Sequence, residues 1–105
     1  MVIPKHIISR AKRKALDSIC KFRVSAIGLN KKGEVVIACN NSPRFSRFGG
    51  GKHAEMQIMR KCPSVKTIII CRVNAQGKAM PIDPCSMCFS KSQELGIKIR
   101  TIAHE

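Results

Sequence analysis

Residues 66–73 read "KTIIICRV", and this run constrains the fold more than any other stretch of the chain. Its β-branched residues suit a strand, and it falls far short of the roughly 20 apolar residues needed to span a bilayer. A strand alternates its side chains between two faces, yet here both faces are apolar. Such a strand sits inside a sheet with a layer packed on each side. The rest of the chain must therefore supply helices for two faces and strands for the flanks.

The flanking sequence has that form. After Pro4, the residues Ile8, Ala11, Ala15, Leu16 and Ile19 recur at helical spacing, while Lys5, Arg10, Arg13, Lys14 and Lys21 fall mostly elsewhere. "FRVSAIGL" (22–29) and "EVVIAC" (34–39) read as strands joined by a hairpin at "NKKG". A basic loop, "NNSPRFSRFGGGK", follows over 40–52. A short helix is expected from about His53 to Arg60, carrying Met56, Ile58 and Met59 and stopping before Pro63. "NAQGKAMPID" reads as a loop, "PCSMCFSKSQELG" as a helix that starts with Pro and ends with Gly, and "IKIRTIA" (97–103) as a closing strand. The order α-β-β-α-β-α-β, with helices between the later strands, implies parallel crossovers. The chain is expected to be one α/β domain over residues 1–105, a three-layer αβα sandwich around a mixed sheet.

Cysteine placement brings in chemistry. Cys85 and Cys88 stand three apart at the start of the expected helix, so both side chains leave one face. Unpaired N–H groups and the positive end of the helix dipole favour thiolates there. His53 opens the preceding helix, and in a crossover sheet successive helix N-termini gather at the carboxyl ends of the strands. Two thiolates and an imidazole suit Zn²⁺, and three protein ligands leave a fourth position for water. Glu55, beside His53, is placed as a base. Cys20, Cys39, Cys62 and Cys71 lie among apolar residues and are expected to be small buried side chains.

"HAE" (53–55) followed by "PCSMC" (84–88) resembles the signature of the zinc-dependent cytidine and deoxycytidylate deaminase superfamily, H-x-E…P-C-x-x-C, and the element order extends the resemblance over about residues 5 to 103. The resemblance implies a cytidine-deaminase-like sandwich, zinc held by His53, Cys85 and Cys88, and hydrolytic deamination at C4 of cytosine or C6 of adenine with Glu55 moving the protons. It also implies base contacts from the backbone at Ala54 and Pro84, and a sugar-binding asparagine before the "HAE" helix. "NNSP" offers Asn40 at the deoxycytidylate-like spacing from Pro43 and Asn41 at the spacing of the tRNA adenosine deaminases; Asn40 is favoured. His53, where nucleoside-type enzymes carry Cys, leans towards the deoxycytidylate, tRNA and polynucleotide branches. Those branches continue past the fourth strand, so a minimal core is expected here, with walls supplied by a second subunit in a homo-oligomer.

The favoured substrate is a cytosine nucleoside or nucleotide. Twenty Lys and Arg against six acids give a net charge of +14, which makes single-stranded DNA or RNA an alternative partner. With four Phe and no Tyr or Trp, a base-stacking platform is poorly supplied. Adenosine in tRNA comes third. In the basic loop, Arg44, Arg47 and Lys52 are candidates for phosphate, and Phe45 and Phe48 for stacking on a base. A reading of another class is a nucleic-acid-binding module with a structural zinc, its fourth ligand being Cys71, His6 or His104. The N-terminus has no apolar core of signal-peptide length, so a cytoplasmic protein with no membrane association is expected.

Overall fold

The computed structural model describes residues 3–19, 23–43, 51–82 and 86–102. Helix α1 spans Lys5–Leu16 and strand β1 Arg23–Leu29. Strand β2 spans Val35–Asn40, and the two-residue strands β3 (Ser42–Pro43) and β4 (Gly51–Lys52) pair with each other. Helix α2 (Ala54–Lys61), strands β5 (Thr67–Val73) and β6 (Ala79–Met80), helix α3 (Ser86–Leu95) and strand β7 (Lys98–Ile102) complete the order. The expected element order holds, with the short β3, β4 and β6 added.

Strand β5 is the axis of the sheet. Antiparallel β1 lies along one edge, from Arg23↔Val73 to Leu29↔Thr67, and β2 pairs beyond it. On the other edge, parallel β7 covers Thr67 to Cys71 and antiparallel β6 covers Arg72 and Val73, so the sheet is mixed. The triple isoleucine divides as its apolar faces require. Ile68 and Ile70 pack with Ala54, Ile58, Met59 and Cys88 on the side of α2 and α3. Ile69 and Cys71 pack with Ile7, Ala11 and Ala15 of α1. Three layers result.

Helix α1 differs from expectation in its buried stripe. The core side chains are Ile7, Ala11 and Ala15, with Ile8 only partly buried. Leu16 is 39% exposed and Ile19 84% exposed. The helix ends at Leu16, so Ile19 leaves the helical frame, and the two alanines set the rotation by letting the helix backbone approach the sheet. The wholly buried Ser25 uses that closeness, donating its hydroxyl to the Ala11 carbonyl at 2.6 Å.

Two hairpins share one local solution. In Asn30–Glu34 the Asn30 amide oxygen accepts from the backbone N–H of Lys32 and Glu34, both at 2.9 Å. In Asn74–Lys78 the Asn74 amide oxygen accepts likewise from Gln76 and Lys78 at 2.9 and 3.0 Å. Gly33 and Gly77 each take φ +81°, which only glycine adopts without strain. The stretch read as the loop "NAQGKAMPID" is thus a hairpin into β6. A bulge between Gly28 and Leu29 lets Val36 point outward, 49% exposed.

Gly28 is required by space rather than by φ. A Cβ there would lie 2.6 Å from Ile37 Cγ2, 3.1 Å from Val65 Cγ1 and 3.2 Å from Ile58 Cγ2. Gly28→Ala is expected to destabilise by about 1–3 kcal/mol through overpacking, read as a lower urea midpoint at unchanged slope.

Candidate metal centre

Three chemically distinct side chains meet where α2 and α3 begin. His53 is the N-cap residue of α2, with extended backbone (φ −71°, ψ 138°) and no side-chain capping bond, so its imidazole is not committed to the helix end. Cys88 lies in the first turn of α3 and is 1% exposed, packed with Ala54, Ile58 and Val24. The His53 Nδ1 to Cys88 Sγ distance is 3.5 Å. The Glu55 carboxylate oxygen lies 4.0 Å from the same Nδ1 and is nearly buried. One ligand atom from each of the three lies within 4.8 Å of the others.

This spacing fits a zinc ion. Two ligands with usual Zn–S and Zn–N lengths at a tetrahedral angle stand about 3.6 Å apart, and His53 and Cys88 stand at 3.5 Å. The first turn of α2 also favours the Glu55 carboxylate, because the helix dipole is positive there. Of the three expected ligands, the structure brings His53 and Cys88 together, with Glu55 beside them.

Small buried groups hold the two helices in place. Ala54 has no exposed surface, which lets the start of α2 sit tight against the core. Ser92, 1% exposed, donates its hydroxyl to the Phe89 carbonyl at 2.7 Å and keeps α3 close to the sheet. The far end of α3 closes with Gly96 at φ +69°, Gly96 N–H donating to Gln93 and Ile97 N–H to Ser92. That is the left-handed cap expected of a terminal glycine. An open groove of about 330 Å³ lies between the helices, lined by Met56, Ser86, Met87, Ser90, Lys91 and Glu94. None of His53, Glu55 and Cys88 lines it.

Several expected site residues, Cys85, Pro84, Arg44, Phe45 and Phe48, lie outside the described residues, as do Cys20 and His104. Asn40 turns its amide to the α1 side, where Nδ2 donates to the Lys14 carbonyl at 3.3 Å. Asn41 is engaged too: its amide oxygen accepts from the Ser18 hydroxyl at 2.6 Å and from Val24 N–H at 3.1 Å. Gln57, which the sequence did not single out, donates Nε2 to the Asn40 carbonyl at 2.8 Å and ties the end of β2 to the helix carrying the centre. Cys39 and Cys71 are buried as expected, whereas Cys62 is only partly so.

The sequence profile of the family described as "Cytidine and deoxycytidylate deaminase zinc-binding region" matches residues 4–104. No curated protein sequence matches the chain. Among solved structures, cytidine deaminase from Burkholderia pseudomallei is similar in fold, with a TM-score of 0.67 at 18% identity, covering 98% of this chain and 91% of that one. The match runs through both helix starts that meet at the centre, and the chain belongs to the cytidine and deoxycytidylate deaminase family, with zinc as its metal.

Proposed function

We propose that this protein catalyses the hydrolytic deamination of a cytosine nucleoside or nucleotide, giving the uracil form and ammonia. The observation that carries this reading is the buried Glu55 carboxylate set beside the His53–Cys88 pair in a chain of this family. His53 and Cys88, with Cys85, are the proposed zinc ligands. When bound, zinc supplies a Lewis acid that makes water a nucleophile near neutral pH.

The protein's own part is proton traffic and positioning. Glu55 accepts a proton from water as the water oxygen bonds to C4 of the base. It passes that proton to the ring nitrogen, then takes the second proton from the new C4 hydroxyl and delivers it to the departing amine as the C–N bond breaks and the C4 carbonyl forms. One water is consumed, one ammonia leaves, and Glu55 ends ionised as it began. The backbone at Ala54 and Pro84 is proposed to contact the base. Asn40 is proposed to contact the sugar, which requires its amide to leave the Lys14 carbonyl. Arg44, Phe45 and Phe48 are proposed to receive the phosphate and the outer face of the ligand.

The scarcity of aromatic residues, four Phe with no Tyr or Trp, supports the free nucleoside or nucleotide over a stacked single strand. The net charge of +14 supports single-stranded nucleic acid as a second substrate class. Free thiols at Cys39, Cys62, Cys71 and Cys88 support a reducing, cytoplasmic setting. No helix among the described residues is long and apolar enough to cross a membrane. Met87 and Phe89, exposed on α3, offer apolar surface for the proposed homo-oligomer. The test is one panel of cytidine, deoxycytidine, their monophosphates, single-stranded oligonucleotides and tRNA, read by mass spectrometry for amine-to-oxygen exchange. Conversion of a small cytosine substrate is expected, and no product from any cytosine substrate would overturn the proposal.

A further inference from the structure

The metal centre occupies one end of the sheet, and the other end gathers cations. Helix α2 runs away from His53 and finishes with Arg60 and Lys61. The chain then enters β5 through Lys66, whose N–H donates to the Leu29 carbonyl at 2.9 Å. Lys98, at the start of β7, donates its N–H to the Lys66 carbonyl at 3.0 Å. Leu29 ends β1 and leads at once into the hairpin carrying Lys31 and Lys32. Three neighbouring strand ends and one helix end therefore bring Lys31, Lys32, Arg60, Lys61, Lys66 and Lys98 to one pole.

All six side chains are exposed, and none forms an ion pair with another described residue. The hairpin contributes one carboxylate, Glu34, which accepts from Asn30 Nδ2 at 3.4 Å. Lys66 and Lys98 stand at the start of neighbouring strands and add to a local excess of positive charge at this end. A partner of dense negative charge would relieve it. The cluster contains no aromatic side chain, which removes base stacking, and the exposed Met87 and Phe89 sit at the opposite end, near the start of α3. Contacts would then be to phosphate alone, independent of base sequence.

We propose that this pole binds the phosphodiester backbone of nucleic acid, as a surface separate from the metal centre. Duplex is favoured over single strands, because it carries one charge per about 1.7 Å of axis and needs no stacking partner. Binding here is independent of turnover, so it stands or falls apart from the deaminase reading.

The test is fluorescence anisotropy with the zinc-loaded protein and a labelled DNA duplex of about 20 base pairs, between about 50 and 200 mM salt. The parent protein is expected to show a log–log salt slope near −5, about −0.9 for each phosphate neutralised. The triple variant Lys61→Glu, Lys66→Glu, Lys98→Glu is expected to bind more than about tenfold more weakly, its slope shallower by about 3. The charge-matched control Arg10→Glu, Arg13→Glu, Lys78→Glu changes exposed residues away from the cluster and is expected to lose less than about threefold. Equal losses in the two variants would reduce the effect to net charge and overturn the proposal. Equally cluster-dependent binding to phosphatidylserine vesicles would overturn the choice of partner. Glutamine replacements at the same positions serve if the glutamate variant fails to fold by circular dichroism.

Discussion

Replacing Glu55 with glutamine is expected to leave zinc content and melting temperature near those of the parent while lowering kcat/KM by about two to four orders of magnitude. The two side chains have nearly the same volume, so the almost fully buried site at Glu55 keeps its packing. What is lost is the carboxylate's capacity to take and return a proton. The geometry alone admits a second role, because a Glu55 oxygen sits close enough to His53 and Cys88 to be a ligand itself. The variant separates the two. A ligand role predicts lower zinc occupancy along with lower activity; a proton-transfer role predicts full occupancy with little activity. Full activity in Glu55→Gln would remove Glu55 from the mechanism, and loss of zinc would make it a ligand.

Particular residues show how far the sequence carried the structure. Ile68, Ile69 and Ile70 announced a strand covered on both faces, because a short run of β-branched residues with no polar alternation suits a central strand. The hairpin at Asn30–Gly33 was legible from local chemistry. Its twin at Asn74–Gly77 uses the same chemistry but leads into a strand of only two residues, too short for a periodic signal. In α1 the choice between Ile7 and Ile8 was not local: it follows from how closely Ala11 and Ala15 bring the helix to β1 and β5. The residue types of the metal centre were legible, and the 3.5 Å approach of His53 to Cys88, across thirty-five positions, follows from the crossover topology. Gln57 on Asn40 and Ser18 on Asn41 are long-range polar contacts, which leave no trace in spacing or periodicity.

Cys88→Ser and Cys71→Ala are expected to part company completely. Serine at position 88 matches the thiol in shape, but its hydroxyl stays protonated at neutral pH and is a hard donor, so zinc affinity should collapse. Metal content by mass spectrometry should fall close to zero, and the melting temperature should drop because zinc binds the folded state. Cys71 lies on the other face of β5, packed with Ile7, Ala11 and Ile69 under α1. Burial pushes its thiol up to about 11, a shift partly offset by the charge on Lys12. Its place on the α1 face of β5, with Cys88 on the other face, is what keeps it from the centre. Cys71→Ala should retain full zinc at a stability cost on the order of 1 kcal/mol. His6, on α1, is likewise on the face away from Cys88. With these two residues across the sheet from the centre, a closed structural site loses two of its three candidate fourth ligands, while the third, His104, lies outside the described residues. Loss of zinc in Cys71→Ala would reverse that conclusion, and full zinc in Cys88→Ser would displace the centre itself.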